Sequence, residues 1–208
     1  MHPALALGIA YLAGSVPSAY LAGRMLKGID LRTVGSGNLG ATNVFRNLGA
    51  RAATVVLLVD ALKGALPVLL LPPRVEFANV DPVWWGLLCG IAAIAGHAKP
   101  IFLLGRGGGK GVATGAGVFA ALAPIGFLAA FIAFGVTFWR SRIVSAGSIA
   151  GAATLPIAVA ATVGLTSPLT VVATAISTFV IWSHRANIQR LRAGTEPRLA
   201  RAPKEGTR

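Results

Sequence analysis

The first of three polar clusters in this largely apolar sequence runs from Gly35 to Arg46. Its glycines let successive backbone N–H groups converge on an anion, while small hydroxyl and amide side chains add hydrogen-bond donors. Its arginine suits bidentate contact with phosphate. The pattern favours a phosphate cradle over a flexible glycine linker, because a linker has no need of these donors. The candidate residues are Ser36, Gly37, Asn38, Thr42, Asn43 and Arg46.

The second cluster combines His97 with a glycine run at 105–111. It resembles a Walker A loop but departs from it, because Leu104 stands in place of the first glycine and Gly111 in place of the Ser or Thr after the lysine. A glycine nest with two cations that leads into a helix at 112 still predicts a phosphate site. The alternative is a basic flank of a membrane helix. The candidates here are Arg106, Gly107, Gly108, Gly109 and Lys110.

The third cluster directly follows the last apolar segment and offers His184, Arg185 and Asn187 as binding residues. A basic helix end that reaches lipid head groups also explains this cluster on its own. Between the second and third clusters lies a smaller group of hydrogen-bond donors, made of Arg140, Arg142, Ser145 and Ser148.

The remaining titratable residues give weaker signals. Asp60 and Lys63 are three residues apart and share a helical face, which favours a structural ion pair over a role in chemistry. His97 suits either a general base or a hydrogen-bonded packing residue. Three dispersed histidines and one cysteine offer no metal-ligand spacing, so we expect no metal and no cofactor.

The composition decides what kind of molecule must position these clusters. Of the 208 residues, 55% are hydrophobic, whereas only 19 are Lys or Arg and 6 are Asp or Glu. A mean hydropathy of +0.72 and uncharged stretches at 1–23, 111–139 and 143–183 exclude a disordered chain and predict an integral membrane protein. The net charge of +13 interrupts apolar segments, so it indicates cytoplasmic flanks and anionic ligands instead of nucleic acid.

The apolar segments predict an all-α fold with about seven transmembrane helices. Five full spans are expected at 3–22, 52–71, 83–101, 145–164 and 168–183. The run 112–139 is too long for one span and too short for two, and Pro124 divides it into a broken pair of short helices. The positive-inside rule places the N-terminus outside, the C-terminus in the cytoplasm, and the loop with Arg74, Glu76 and Asp81 on the outer face.

The domain organisation is expected to be simple. Residues 1–194 form a single transmembrane domain without a repeat of 20–50 residues. Residues 195–208 form a basic cytoplasmic tail that is solvated and partly disordered.

The three clusters occur in order, and over about residues 5–194 the chain resembles the bacterial acyl-phosphate:glycerol-3-phosphate acyltransferases of the PlsY type. The matching residues are Gly35-Ser36-Gly37-Asn38 with Gly40-Ala41-Thr42-Asn43, then Gly96-His97 with Gly108-Gly109-Lys110-Gly111-Val112-Ala113-Thr114, and finally His184-Arg185 with Asn187-Ile188 and Arg190-Leu191.

This resemblance implies a membrane enzyme that moves a fatty acyl group from acyl phosphate to the 1-hydroxyl of glycerol 3-phosphate. The products are lysophosphatidic acid and phosphate, in the first step of phospholipid synthesis. The resemblance further implies a bacterial inner-membrane location, with active-site loops on the cytoplasmic face, and contact with membrane lipids. We expect a monomer that binds no nucleic acid.

The family's roles transfer to matching positions. Ser36, Arg46 and Lys110 hold phosphate, while Asn187 with Ser145 or Ser148 completes the acceptor pocket. The catalytic set is Ser36, Arg46, His97 and Lys110, with His97 or a substrate phosphate as the base. No His-x4-Asp signature of thioester-dependent acyltransferases follows any histidine, which fits a donor other than a thioester.

Three positions depart from the family pattern. Leu39 stands where the family often has Pro, Lys99 stands where it usually has an aromatic residue, and the run 107–109 has one more glycine than expected, which leaves the register of Arg106 open. The alternative function is a transporter of a small phosphate-bearing solute. It predicts inverted repeats and a polar path across the membrane, neither of which is visible in the sequence.

Overall fold

The computed structural model describes residues 1–75 and 81–199, and in these ranges the chain forms ten α-helices and no strand. In chain order the helices are Pro3–Ser15 (α1), Ser18–Lys27 (α2), Ala41–Leu48 (α3), Ala50–Leu70 (α4), Pro82–Ala98 (α5), Val112–Leu122 (α6), Pro124–Ser141 (α7), Val144–Val163 (α8), Pro168–Ser183 (α9) and Arg185–Arg192 (α10). The predicted all-α fold is confirmed for the described residues.

Five apolar segments of the described chain are long enough to cross a membrane. Five segments qualify by length and hydropathy, at Pro3–Lys27, Ala50–Arg74, Val83–Leu103, Pro124–Ser141 and Val144–Val163, and shorter apolar helices occupy Val112–Leu122 and Pro168–Ser183. These seven segments correspond to the seven that were predicted, but the long and short ones are distributed differently. Helix α7 is a long span and α9 is a short one.

The two helices predicted within 112–139 differ in length because of where each helix ends. Pro124 occupies the first turn of α7, where a missing N–H costs nothing, so α6 stops at Leu122 after 11 residues. Helix α7 then continues past the uncharged run, through Arg140 to Ser141, and reaches 18 residues. The sequence alone suggested two pieces of similar length.

The first span is not the single helix that was predicted for 3–22. It breaks at Val16 and Pro17 and resumes as α2, which runs to Lys27. Proline cannot donate a backbone hydrogen bond and blocks helix continuation, so carbonyl groups before it need other partners. The Val16 carbonyl accepts a 2.9 Å hydrogen bond from Nζ of Lys63 on α4, so a buried lysine binds the broken turn.

Two helix pairs approach closely through glycine. Helix α1 packs along α5, where a Cβ at Gly14 would overlap the backbone of Ala93, and α4 packs along α6, where a Cβ at Gly117 would overlap the backbone of Ala61. Small residues allow such contacts between membrane helices, where packing replaces the hydrophobic effect as the driving force. Helices α4, α5, α6, α8 and α9 enclose the largest apolar core.

The three polar clusters lie together at one end of this bundle. Lys110 of the second cluster donates to Asn187 of the third, and the N–H of Leu199 donates to the carbonyl of Arg142 at 2.8 Å. At the opposite end, the amino group of Met1 donates to the carbonyl of Arg74 at 2.7 Å. The two ends of the described chain therefore lie at opposite ends of the bundle.

Five residues of the predicted tail, 195–199, belong to the described part of the chain. Residues 195–199 pack against the bundle, and the side chain of Glu196 is buried there with three hydrogen-bond partners. The predicted disorder of the remaining tail concerns 200–208, outside the described residues, as does Glu76 of the predicted outer loop.

Candidate active site

A cavity of about 1010 Å³ opens among the three clusters and extends between helices. Its apolar wall comes from helices α6 to α9 and includes Phe119, Phe127, Phe131, Phe134, Leu155 and Ile176. Its polar wall includes the predicted residues Ser36, Gly37, Asn38, Thr42, Asn43, Arg46, His97, Gly108, Lys110, Ser145, Ser148, His184 and Asn187. The cavity therefore fits a ligand with a charged head and an apolar chain.

Asn43 organises the first cluster. Its side chain is fully buried, and Nδ2 donates to the carbonyls of Leu31 and Val34 at 3.0 and 3.1 Å. Oδ1 accepts a 3.1 Å hydrogen bond from the N–H of Ser36. Gly35 has a φ of +62°, and a Cβ there would overlap Asn43, which makes this bend a glycine position. The amide of Asn43 thus holds the loop, and Ser36 is carried to the cavity.

Helix α3 supplies two further polar residues to the cavity wall. Thr42 and Arg46 are four residues apart and so lie on one face of this helix. Nη2 of Arg46 donates to the carbonyl of Pro197 at 3.4 Å, which connects the first cluster to the residues after α10. A guanidinium at this position remains charged and can bind a phosphate oxygen.

The loop before α3 is held by a local ion pair. Arg32 makes a bidentate contact with Asp30, with N–O distances of 2.7 to 3.1 Å. The hydrogen bonds from Arg32 lower the pKa of Asp30 to about 2, so the carboxylate stays charged at neutral pH. Gly107 packs against the Arg32 side chain, which joins the first cluster to the second.

The second cluster is only partly turned toward the cavity. Gly108 and Lys110 line it, whereas the side chain of Arg106 is exposed outside it. Gly107 and Gly109 also lie off the main cavity, since they pack on Arg32 and on the His97 ring. Of the five residues predicted in this cluster, the structure therefore brings two to the cavity.

Leu39 connects the first two clusters through its backbone. Its N–H donates to the carbonyl of Gly108 at 3.2 Å, and its side chain is buried. A proline at this position has no N–H to donate. The leucine at this position thus supplies a hydrogen bond between the two loops that a proline could not make.

His97 and the predicted ion pair form one buried network. Oδ1 of Asp60 accepts from Oγ of Ser18 at 2.6 Å and from Nζ of Lys63 at 2.7 Å, and it lies 3.8 Å from Nδ1 of His97. Gly109 packs on the Nε2 side of the ring and donates its N–H to the His97 carbonyl at 3.2 Å. The predicted Asp60–Lys63 pair is present, and the network fixes the glycine run at the cavity.

Lys110 is a half-buried cation of the polar wall. Its Nζ donates to Oδ1 of Asn187, which joins the second cluster to the third. Burial lowers the pKa of Lys110 to about 8, and the nearby cations Arg190 and Arg46 act in the same direction. An anionic ligand placed here would favour the charged ammonium.

Glu196 was not predicted as a site residue, yet it contacts several of them. Its carboxylate accepts hydrogen bonds from Oγ of Ser145 at 2.7 Å, from Nδ2 of Asn187 at 2.5 Å and from Nε of Arg190 at 2.6 Å. Burial acts to raise the pKa of Glu196, but these three hydrogen bonds outweigh it and hold the pKa below its usual value. One signal in the sequence was available, because Glu196 is the only acidic residue between Asp81 and Glu205.

His184 and Ser148 complete the polar wall, whereas Arg185 does not reach it. Nδ1 of His184 lies 2.7 Å from the Val180 carbonyl, and burial lowers the pKa of His184 to about 4, so the neutral ring donates from Nδ1. Oγ of Ser148 donates to a helical carbonyl at 3.0 Å. The guanidinium of Arg185 lies over the Trp182 ring at 4.4 Å from its centroid, away from the cavity.

Comparison with known sequences gives a consistent set of matches. A family model described as glycerol-3-phosphate acyltransferase matches residues 4–194. The chain is 51% identical to a glycerol-3-phosphate acyltransferase of Parasynechococcus marenigrum over 196 residues, covering 94% of this chain and 89% of the other. It is 46% identical to the protein of that name from Listeria monocytogenes, covering 92% of this chain and 93% of the other.

Solved structures give the same result. The crystal structure of PlsY (YgiH), an integral membrane glycerol 3-phosphate acyltransferase, in its glycerol 3-phosphate form superposes with a TM-score of 0.83 at 35% identity, covering 95% of this chain and 96% of that one. Its lysophosphatidic acid form gives a TM-score of 0.81 at 34% identity, with 95% of each chain covered.

Proposed function

The chain belongs to the glycerol-3-phosphate acyltransferase family, and we propose that it transfers a fatty acyl group from acyl phosphate to the 1-hydroxyl of glycerol 3-phosphate. It is an integral membrane acyltransferase of phospholipid synthesis. The observation that carries the proposal is the cavity among the three clusters, in which Lys110 and Arg46 stand at the mouth of a chamber walled by phenylalanines. A long acyl chain fits the chamber, and two phosphates fit the mouth.

The choice of acyl phosphate as donor rests on the chemistry of the polar wall. An acyl phosphate is already activated, because phosphate is a good leaving group. Its transfer needs orientation and stabilisation of negative charge, not a covalent enzyme intermediate. The wall supplies three cations (Arg46, Lys110 and Arg190), glycine N–H groups and small hydroxyl and amide donors, which suit that task.

The acceptor is placed by Asn187 and Ser145, which come from α10 and α8. Its 1-hydroxyl oxygen attacks the acyl carbonyl carbon, and a tetrahedral oxyanion forms. The bond between the acyl carbon and the phosphate oxygen then breaks, which releases inorganic phosphate and lysophosphatidic acid. Lys110 offsets the negative charge that passes from the oxyanion to the departing phosphate.

A substrate phosphate is the acceptor we favour for the hydroxyl proton. His97 was the other candidate, but Asp60 lies on the Nδ1 side of its ring and Gly109 covers the Nε2 side. These contacts suit a structural residue that holds the glycine run in place, and not a general base. Substitution of His97 by Gln tests this assignment, since turnover within about ten-fold of wild type excludes an obligatory base at this position.

The side of the membrane on which the cavity opens follows from the basic residues of the three clusters. The cavity mouth lies at the end of the bundle where the three basic clusters meet, and positive segments favour the cytoplasm. We therefore place the cavity mouth on the cytoplasmic face of a bacterial inner membrane. A monomer suffices for the reaction, because every residue of the proposed site comes from one chain.

Donor choice is tested with purified protein in lipid, given glycerol 3-phosphate and either palmitoyl phosphate or palmitoyl-CoA. The proposal predicts lysophosphatidic acid from palmitoyl phosphate alone. Product from palmitoyl-CoA alone contradicts the donor assignment but not the acceptor. Uptake of labelled glycerol 3-phosphate into proteoliposomes without any product contradicts acyl transfer and supports a transporter.

A further inference from the structure

The apolar part of the cavity has a measurable depth. The lining runs along α6 from Val112 to Phe119 and along α8 from Ser145 to Leu155. At 1.5 Å of rise per helical residue, these stretches are about 10 to 15 Å long. An extended hydrocarbon chain advances about 1.3 Å per carbon, so about eight to twelve carbons span this depth. The deepest lining residue on each of four helices is Phe119 on α6, Phe127 on α7, Leu155 on α8 and Ile176 on α9.

Beyond these residues the bundle is packed. Four residues further along the chain, away from the mouth, three of the wall segments present buried residues of the apolar core, namely Ala123, Val159 and Val172. Gly126 of α7 approaches Val159 so closely that a Cβ on Gly126 would lie 2.6 Å from a methyl carbon of Val159. The deepest lining residues of α6, α8 and α9 belong to the same core cluster, and we call them the floor: Phe119, Leu155 and Ile176.

The side of the cavity offers another place for the end of a chain. Leu57 of α4 and Phe131 of α7 line the cavity and are also 48% and 58% exposed. The chamber nevertheless continues one turn beyond Phe131, to Phe127 and the floor. Because lipid is as apolar as the chamber wall, removal from water does not distinguish the two places. The fit of the chain end against the floor does, since dispersion contacts weaken steeply with the gap.

We infer that the floor determines which acyl chain lengths the enzyme prefers, with Phe119 as the main specificity-determining residue. Phe119 is the largest fully buried side chain among the described residues, and it borders both the chamber and the packed core. A chain longer than the chamber must bend against its ring or leave through the side, whereas a shorter chain leaves space unfilled. The inference rests on the proposed function, because it concerns the acyl chain of the donor.

Ala152→Phe tests the inference by making the chamber shallower. Ala152 lines the chamber about one turn above Leu155 and is half-buried, so a ring at this position occupies chamber space. Initial rates with octanoyl, lauroyl, myristoyl and palmitoyl phosphate give kcat/KM for each chain. The palmitoyl-to-octanoyl ratio should fall about ten-fold or more, because apolar pockets discriminate by methylene groups. Ala153→Phe is the matched control, since Ala153 is exposed and outside the lining, and its ratio should equal that of wild type.

Phe119→Leu tests the same inference in the opposite direction. The smaller side chain lowers the floor and adds no polar group. The ratio of kcat/KM for stearoyl phosphate to that for lauroyl phosphate should rise about three-fold or more. Loss of packing alone lowers the thermal midpoint in detergent and the active fraction. It does not change a ratio between two donors measured on one sample, so the ratio separates chain selection from a purely structural role.

The other outcomes overturn the inference. An unchanged chain-length profile in both variants indicates that the chain end lies in the bilayer, between α4 and α7. Failure of Ala152→Phe to accumulate as folded protein contradicts open space beside this residue. If wild type uses acyl-CoA and not acyl phosphate, the same chain series as thioesters gives the same ratios, so a wrong donor assignment leaves this test intact. If wild type acylates glycerol 3-phosphate with neither donor, the proposed function fails and the inference fails with it.

Discussion

Lys110 combines a buried position with a charge that the proposed reaction needs. Its ammonium donates to Asn187 within the cavity wall, and burial brings its pKa down to about 8. A lysine with this pKa begins to lose its proton close to neutral pH, whereas an exposed lysine does not. A substrate phosphate nearby stabilises the charged form, so binding and protonation are linked.

This linkage predicts the pH dependence of the reaction. Lys110 is protonated below its pKa and neutral above it, so kcat/KM for glycerol 3-phosphate should fall as the pH rises through about 8, as kcat/KM reports the free enzyme. Initial rates between pH 6 and 9.5 measure the profile. In Lys110→Arg the guanidinium stays charged, and the fall near pH 8 should disappear. An unchanged alkaline fall in that variant refutes the assignment to Lys110.

At the scale of elements, a buried network joins three helices. Asp60 and Lys63 belong to α4, Ser18 to α2 and His97 to α5. Lys63 also binds the carbonyl of Val16 at the break in the first span. The network thus fixes the bend between α1 and α2 and, through His97, the glycine run beside the cavity.

Breaking one partner of this network should cost more than removing both charges. Asp60→Asn leaves a buried ammonium, and Lys63→Met leaves a buried carboxylate, so each should destabilise the protein by about 3–5 kcal/mol. Asp60→Asn combined with Lys63→Met should cost less than either single substitution, because no unpaired buried charge remains. Thermal midpoints in one detergent measure all three variants. Additive losses contradict the ion pair as the source of stability.

At the scale of the whole molecule, the sequence predicts most of the bundle and part of the site. Apolar stretches and Pro124 indicate the seven apolar segments because hydropathy and proline act locally. Pro17 is visible in the sequence, but the partner of the Val16 carbonyl at this break is Lys63 from another helix, which no local pattern reveals. Arg106 and Lys110 are equally basic in sequence, but the fold carries only Lys110 into the cavity. Glu196 was assigned to a solvated tail, since no local pattern indicates that its carboxylate meets Ser145, which lies 51 residues away in the sequence.

The bundle also predicts which segments are reachable from each side of the membrane. Cys89 is buried, so single cysteines can be introduced at exposed positions at opposite ends. Residue 195 lies beside the cavity mouth. The variant Thr195→Cys should therefore react with a membrane-impermeant maleimide only from the cytoplasmic side. Thr166→Cys lies between α8 and α9 and should react only from outside. Labelling of both positions from the same side contradicts the orientation.

The most direct test of acyl transfer measures phosphate and lysophosphatidic acid together, in purified protein supplied with palmitoyl phosphate and glycerol 3-phosphate. Wild type should form the two products in equal amounts. Lys110→Ala should lower kcat/KM by more than about 100-fold, because the proposed mechanism uses Lys110 in both binding and the transition state. Arg192→Ala, at an exposed position on α10, should retain activity. Phosphate release without lysophosphatidic acid, or wild-type turnover in Lys110→Ala, contradicts the account.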